Sequence, residues 1–222
     1  MAKKKRQTKA KAEKEAPEQK PITISEADIA DAFTRTQWFL DTLEEIRHWR
    51  EPLYVGIDPG MDGAIAFLHP KDNNESTVVD IPTVTVETSK KTPKGNKAKR
   101  TKFDIGGCKR IFDMLCSAWS PSQIVVALEQ GQARASDSGL TGFSVGKGYF
   151  MWPLFLLEKG IECEELLPAV WKRKMNLLKK DKEWSRLTAQ RLFPRAPLFR
   201  VGDHNRAEAM LIAEALKRTR SQ

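Results

Sequence analysis

Cysteine is scarce: the 222-residue chain has three, Cys108, Cys116 and Cys163. They are scattered, odd in number and never spaced as CxxC, which argues against a disulfide framework or a cysteine zinc site and favours a reducing, cytoplasmic setting, with an organelle or the nucleus not excluded. No apolar run approaches the roughly 20 residues a bilayer span needs, so a membrane is not an expected partner. The opening MAKKKRQTKAKAEK has no apolar core of the kind a secretory signal carries. Acids are also in deficit. Against 38 Lys and Arg stand 29 Asp and Glu, a formal net charge of +9. That balance favours a polyanionic partner, nucleic acid first. What is present in good measure is apolar content, 40%, enough for one ordinary domain plus appendages.

Residues 1 to about 22 are Lys-rich and read as a disordered basic tail. Ser25 caps an amphipathic helix running to about residue 50, with Ile29, Phe33, Leu40 and Leu43 on one face and Trp38 opposite. A single domain then occupies 51–222. It opens on LYVGIDPGMDGAIAF, residues 53–67, a buried strand, a Pro59-Gly60 turn and a second strand. Asp58 stands at the end of the first strand, where a metal or a phosphate could be held. Residues 76–81 make a third, antiparallel strand.

Residues 88–102, TSKKTPKGNKAKRTK, hold seven Lys or Arg and no acid. They read as a loop, with Lys97, Lys99 and Arg100 candidate phosphate contacts. Asp104 caps a helix to Trp119 whose inner face is Ile105, Ile111, Phe112 and Leu115. QIVVALE, 123–129, is a central strand whose core, 124–128, is continuously apolar as for one covered on both faces, and it ends in Glu129. Residues 131–148 are rich in Gly and Ser and read either as a phosphate-binding loop, containing Phe143 and Lys147, or as a plain flexible one, leading into a helix over 149–158. A strand over 161–167, a helix opened by Pro168 and a helix over 181–193 follow. Asp203 is an N-cap candidate for the last helix, 201–220. There His204 and Glu208 share one face at i, i+4 beside an alanine-rich packing stripe.

Asp58, Glu129, His204 and Glu208 are oxygen-rich with one imidazole, a set that suits Mg²⁺ or Mn²⁺. Two ions held there are the arrangement for in-line phosphodiester hydrolysis. Without cations, clustered carboxylates repel one another.

The ordered pieces GIDPG, LEQ, SGLTGFSVGKGYFMW, LLPAVWK, KKDKEWS and DHNRAEAMLIAEAL, spread over residues 53–217, resemble the RuvC-type Holliday-junction resolvases, and most closely their plastid and phage-like branch. The resemblance implies an α/β RNase H-like fold, a mixed five-stranded sheet flanked by helices. It implies a homodimer that nicks opposing strands of a four-way DNA junction with two Mg²⁺ or Mn²⁺ ions per site. Carried over, Asp58, Glu129, His204 and Glu208 form the metal-binding catalytic set. Lys172 and Lys182, with Lys180 as a substitute, match DNA-contacting positions. Phe150, Trp152 and Leu156 fall at the dimer helix. Gly131, Gln132 and Ala133 stand where RuvC itself carries an aromatic, and Phe143 is the candidate to replace it.

Three alternatives compete. One is an RNase H-like nuclease for another nucleic acid, such as an RNA/DNA hybrid. Another is a non-catalytic junction-binding protein. The third is a sugar-kinase or actin-like ATPase, suggested by GIDPGMDGA, but the chain shows no clear second phosphate loop, so no nucleotide cofactor is expected.

Overall fold

The computed structural model describes residues 52–131 and 138–221, apart from positions 92 and 94. The basic tail and the helix expected over 25–50 lie outside the described residues, as do Gln132 and Ala133.

Among the described residues, seven strands and five α-helices follow one another: β1 Leu53–Asp58, β2 Ala64–Leu68, β3 Thr77–Asp80, β4 Thr83–Lys91, β5 Lys97–Phe103, α1 Ile105–Ala118, β6 Ile124–Glu129, α2 Gly139–Lys159, β7 Cys163–Leu166, α3 Pro168–Lys174, α4 Lys182–Leu192 and α5 His204–Arg220. Five strands form one sheet in the order β3-β2-β1-β6-β7. The hairpins β1–β2 and β2–β3 are antiparallel, while β6 runs parallel to β1 and β7 parallel to β6. This is the mixed five-stranded, helix-flanked sheet of the RNase H-like fold, as expected.

Strand alternation sorts the sheet into two cores. Leu53, Val55, Ile57, Ile124, Val126 and Leu128 face α1 and α2, where they meet Phe112, Leu115, Trp152 and Leu156. Ala64, Ala66, Leu68, Val78 and Ala127 face the opposite way, toward Trp171, Phe193 and the inner side of α5. The second face is made of small residues because α5 lies almost on the strands. A Cβ on Gly56 would stand 2.2 Å from the Ala209 carbonyl oxygen and 2.6 Å from the Ala213 amide. Every residue of α5 from Ala207 to Leu216 is buried as a result.

Several expectations are corrected. The basic stretch is not a loop. Its flanks pair as an antiparallel ribbon, β4 against β5, with Val84 opposite Lys102 and Val86 opposite Arg100. The ribbon is separate from the main sheet, and Lys97 pairs with Glu87 across it at 2.9 Å. The Gly/Ser-rich stretch is helical from Gly139, capped by Ser138, whose side chain accepts from the Thr141 amide. Ile105 is 53% exposed, and Cys108 takes the inward position instead. Trp152 and Leu156, expected at a dimer interface, are 0% and 1% exposed. The Trp152 ring meets Phe112 edge-on at 6.0 Å, so its bulk is spent on the core.

Candidate active site

Asp58 and Glu129 reach the same end of the sheet through register. Ile57 pairs with Leu128 in the parallel β1–β6 ladder, and each acid is one residue further on. Both share the parity of Gly56 and Ala127, so both project toward α5. Glu208 lies one residue before Ala209, the α5 residue in closest approach to β1. The alanine stripe that lets α5 sit flush therefore also delivers the third carboxylate.

The three acids act on one another. Asp58 keeps part of its surface open, but the protein around it desolvates the carboxyl. That burial, then repulsion from Glu208, raises it to about 6, against opposing pulls from the Gly60 amide, Lys182 and Lys172. Glu129 is pushed up to about 7, by burial first and then by Asp58 and Glu208. Lys172 draws it back. Both shifts describe carboxylates short of positive charge.

Cations and hydrogen bonds frame the group. Lys172 Nζ lies 3.2 Å from Glu208 Oε1 and packs over the Trp171 ring at 5.0 Å. Buried Ser185 donates its hydroxyl to the same Glu208 oxygen at 3.4 Å. Lys182, the first residue of α4, donates to Asn205 Oδ1 at 3.1 Å. Asn205 in turn donates from Nδ2 to the Asp62 carbonyl at 2.7 Å, tying α5 to the turn that follows Asp58. Lys180 stacks over the exposed Trp184 ring at 4.7 Å.

The remaining candidates fall elsewhere. His204 begins α5, half-exposed, and its charge acts on Glu183 at the start of α4. Asp203 precedes α5 as expected, but its side chain makes no cap bond. It accepts instead from the Arg200 amide at 2.7 Å and from Arg200 Nε at 2.8 Å. Burial acts to raise this carboxyl, but the Arg200 bonds, with the Arg206 charge, hold it below its ordinary value. Lys97, Lys99 and Arg100 line the exposed ribbon. Phe143 is 74% exposed and Lys147 is exposed, both on α2. Sequence patterning does not single out Ser185, Asn205 or Trp171, although Asn205 and Glu208 lie three apart on one helix and so share a face.

Among the described residues, no group of three or more His, Cys, Asp or Glu side chains stands close enough together to hold a metal ion. The donor set nevertheless fits a hard cation. It supplies carboxylate oxygens, two of them raised first by burial and then by repulsion from neighbouring carboxylates, which a divalent ion would relieve.

No family model matches the chain, and no curated protein does. Among solved structures, Thermus thermophilus RuvC in complex with Holliday junction substrate is similar at 14% identity and TM-score 0.46, over 76% of this chain and 96% of that one. Thermus thermophilus RuvC by itself is similar at 17% identity and TM-score 0.42, with the same coverage. The yeast mitochondrial Holliday junction resolvase Ydc2 is similar at 15% and 0.41, over 81% of this chain and 84% of that one. No described helix is long and apolar enough to cross a membrane.

Proposed function

We propose that the chain is a divalent-metal-dependent endonuclease that cuts four-way DNA junctions by paired nicks on opposing strands. The observation that carries this reading is that Asp58, Glu129 and Glu208, the first two half-buried and the third buried, repel one another beside Lys172 and Lys182. Carboxylates gathered at that cost have no structural use, since apolar residues would fill the space more favourably.

Asp58, Glu129 and Glu208 would hold Mg²⁺ or Mn²⁺, two ions per site, with His204 four residues before Glu208 on the same helix. Bound there, the ions supply a water of lowered pKa and positive charge for the leaving oxygen. Lys172 neutralises Glu208 and presents an ammonium toward the phosphate. Ser185 orients Glu208, and Asn205 holds the Asp58 turn against α5 and Lys182. Lys97, Lys99, Arg100 and Lys147 contribute phosphate contacts that carry no sequence information.

A homodimer supplies the pairing of the nicks. On α2, Phe143, Phe150, Leu154 and Leu157 are 74%, 62%, 52% and 76% exposed. Their spacing of seven, four and three residues puts them on one side of the helix. This stripe replaces Trp152 and Leu156 as the surface for a second copy.

The test is cleavage of a synthetic four-way junction with Mg²⁺, run beside linear duplex and an RNA/DNA hybrid. The expected result is two symmetric nicks on the junction and little cutting of the others. Cutting confined to the hybrid would move the activity to another substrate, and unimpaired cutting by Asp58→Asn would contradict the metal site.

A further inference from the structure

Three carboxyls act on one another at the end of the sheet, and one ammonium serves all three. Lys172 Nζ lies 3.2 Å from Glu208 Oε1, and its charge also acts on Asp58 and Glu129. Among the described residues, Lys182 is the other cation that acts on Asp58. It donates to Asn205 Oδ1 at 3.1 Å rather than to a carboxylate. Lys172 is therefore the resident counter-ion of the group. A single ammonium offsets one of three negative charges, whereas a divalent ion at the same oxygens offsets two.

The surroundings let Lys172 leave without unsettling Glu208. Trp171, the residue before it, is fully buried in the core under α5 and anchors the backbone of α3. Lys172 rests against that ring, 5.0 Å from its centroid, with 28% of its own side chain exposed. Motion is thus confined to a flexible four-carbon stem with a way out to solvent. Buried Ser185 donates to the same Glu208 oxygen at 3.4 Å and stays in place when the ammonium goes. The carboxylate keeps its orientation while its cationic partner is exchanged.

We propose that Lys172 is a displaceable internal cation: it holds Glu208 in the metal-free protein and is released to a DNA phosphate when a divalent ion takes its place. The proposal rests on the nuclease reading. One ammonium does not serve Glu208 and a phosphate at full strength together, so its two roles alternate. Linkage makes the exchange reciprocal. Freeing Lys172 with metal tightens the hold on DNA, and drawing Lys172 onto a phosphate tightens the hold on metal. The site is thereby biased to load its ions when substrate is present.

The experiment uses the full-length chain and Lys172→Met, which keeps the length of the stem without its charge. Without DNA, Mn²⁺ binding followed by the EPR signal of the free ion should be tighter in the variant by about 5- to 150-fold, the usual span of coupling between two sites. In a Glu208→Gln background the same substitution should change Mn²⁺ binding little, because the contact it removes is already gone. Binding to a fixed four-way junction should show the reverse sign and depend on metal. Lys172→Met should cost little in EDTA, where Glu208 holds the ammonium, and a loss within the same span when Ca²⁺ is the probe ion. Unchanged or weaker Mn²⁺ binding in Lys172→Met, tightening that persists undiminished beside Glu208→Gln, or an equal loss of junction binding in EDTA and Ca²⁺ would overturn the proposal. The EDTA and Ca²⁺ comparison carries the test if Glu208→Gln does not fold. Cutting of the junction by the unsubstituted chain with Mg²⁺ reports separately on the nuclease reading. The expected exchange without cutting would overturn that reading and leave the internal cation standing, while cutting without the exchange would overturn the internal cation alone.

Discussion

The face of the sheet beneath α5 is lined with Gly56, Ala64, Ala66 and Ala127, whereas the face beneath α1 and α2 carries Val55, Ile57, Val126 and Leu128. On the first, a helix lies within backbone contact of the strands. On the second, large rings such as Phe112 and Trp152 fill a deeper gap. The acids project only from the small-residue face. Close approach there brings a helix-borne carboxylate, Glu208, to two strand-borne ones. The difference teaches that the alanines of α5 serve position as much as packing, while the aromatic face serves stability.

The sharpest way to break that contrast is Gly56→Val. Its side chain would overlap the α5 backbone, which cannot retreat as a side-chain tip can. A loss of more than about 3 kcal/mol is expected, with little folded protein in a thermal melt. Trp152→Ala on the other face should cost about 3–5 kcal/mol. Phe150→Ala, two residues away but exposed, should stay within about 0.5 kcal/mol. Melts of the two variants at low concentration would show whether core and outer stripe divide as described.

The small-residue face should also respond to pH in the opposite sense to ordinary acid denaturation. Asp58 and Glu129 are raised to about 6 and about 7 from 3.8 and 4.5. Between those limits the folded chain holds protons that the unfolded chain has released. Without divalent ions, their contribution is fully present below about 4 and is lost as pH rises through 6 and 7. Asp58→Asn or Glu129→Gln should therefore raise stability at pH 8 by about 1–3 kcal/mol while abolishing cutting. The smallest effect belongs to the ribbon. Lys99→Ala should weaken junction binding evenly across sequences and reduce the salt slope by about 1.

Much of this site was legible before the structure. An apolar run ending in Asp, then another ending in Glu, places two acids on neighbouring buried strands, and i, i+4 spacing puts His204 and Glu208 on one face of a helix. The ribbon was not legible, because seven cations mask the short Thr-Val-Thr-Val alternation of 83–86 that starts it. The orientation of α2 was hidden for a different reason. Phe150, Met151, Trp152, Leu154, Phe155, Leu156 and Leu157 are apolar nearly all round, so periodicity cannot separate the buried Trp152 from the exposed Phe150. Asp203 stands at a cap position by sequence, but the arginine three residues earlier competes for its carboxylate and wins. The alignment of Asp58 with Glu129 required the register of the parallel pair, a non-local fact that no window of residues contains.

The central claim is that Asp58, Glu129 and Glu208 together form a cation site. The measurement that tests it most directly is the Mn²⁺-induced shift in melting temperature of the DNA-free protein at pH 5.5 and pH 8, for the unsubstituted chain and Asp58→Asn. The account expects a clear upward shift at pH 8, a small one at pH 5.5 where the acids hold protons, and almost none in the variant. An equal shift at both pH values, or one undiminished in Asp58→Asn, would contradict it.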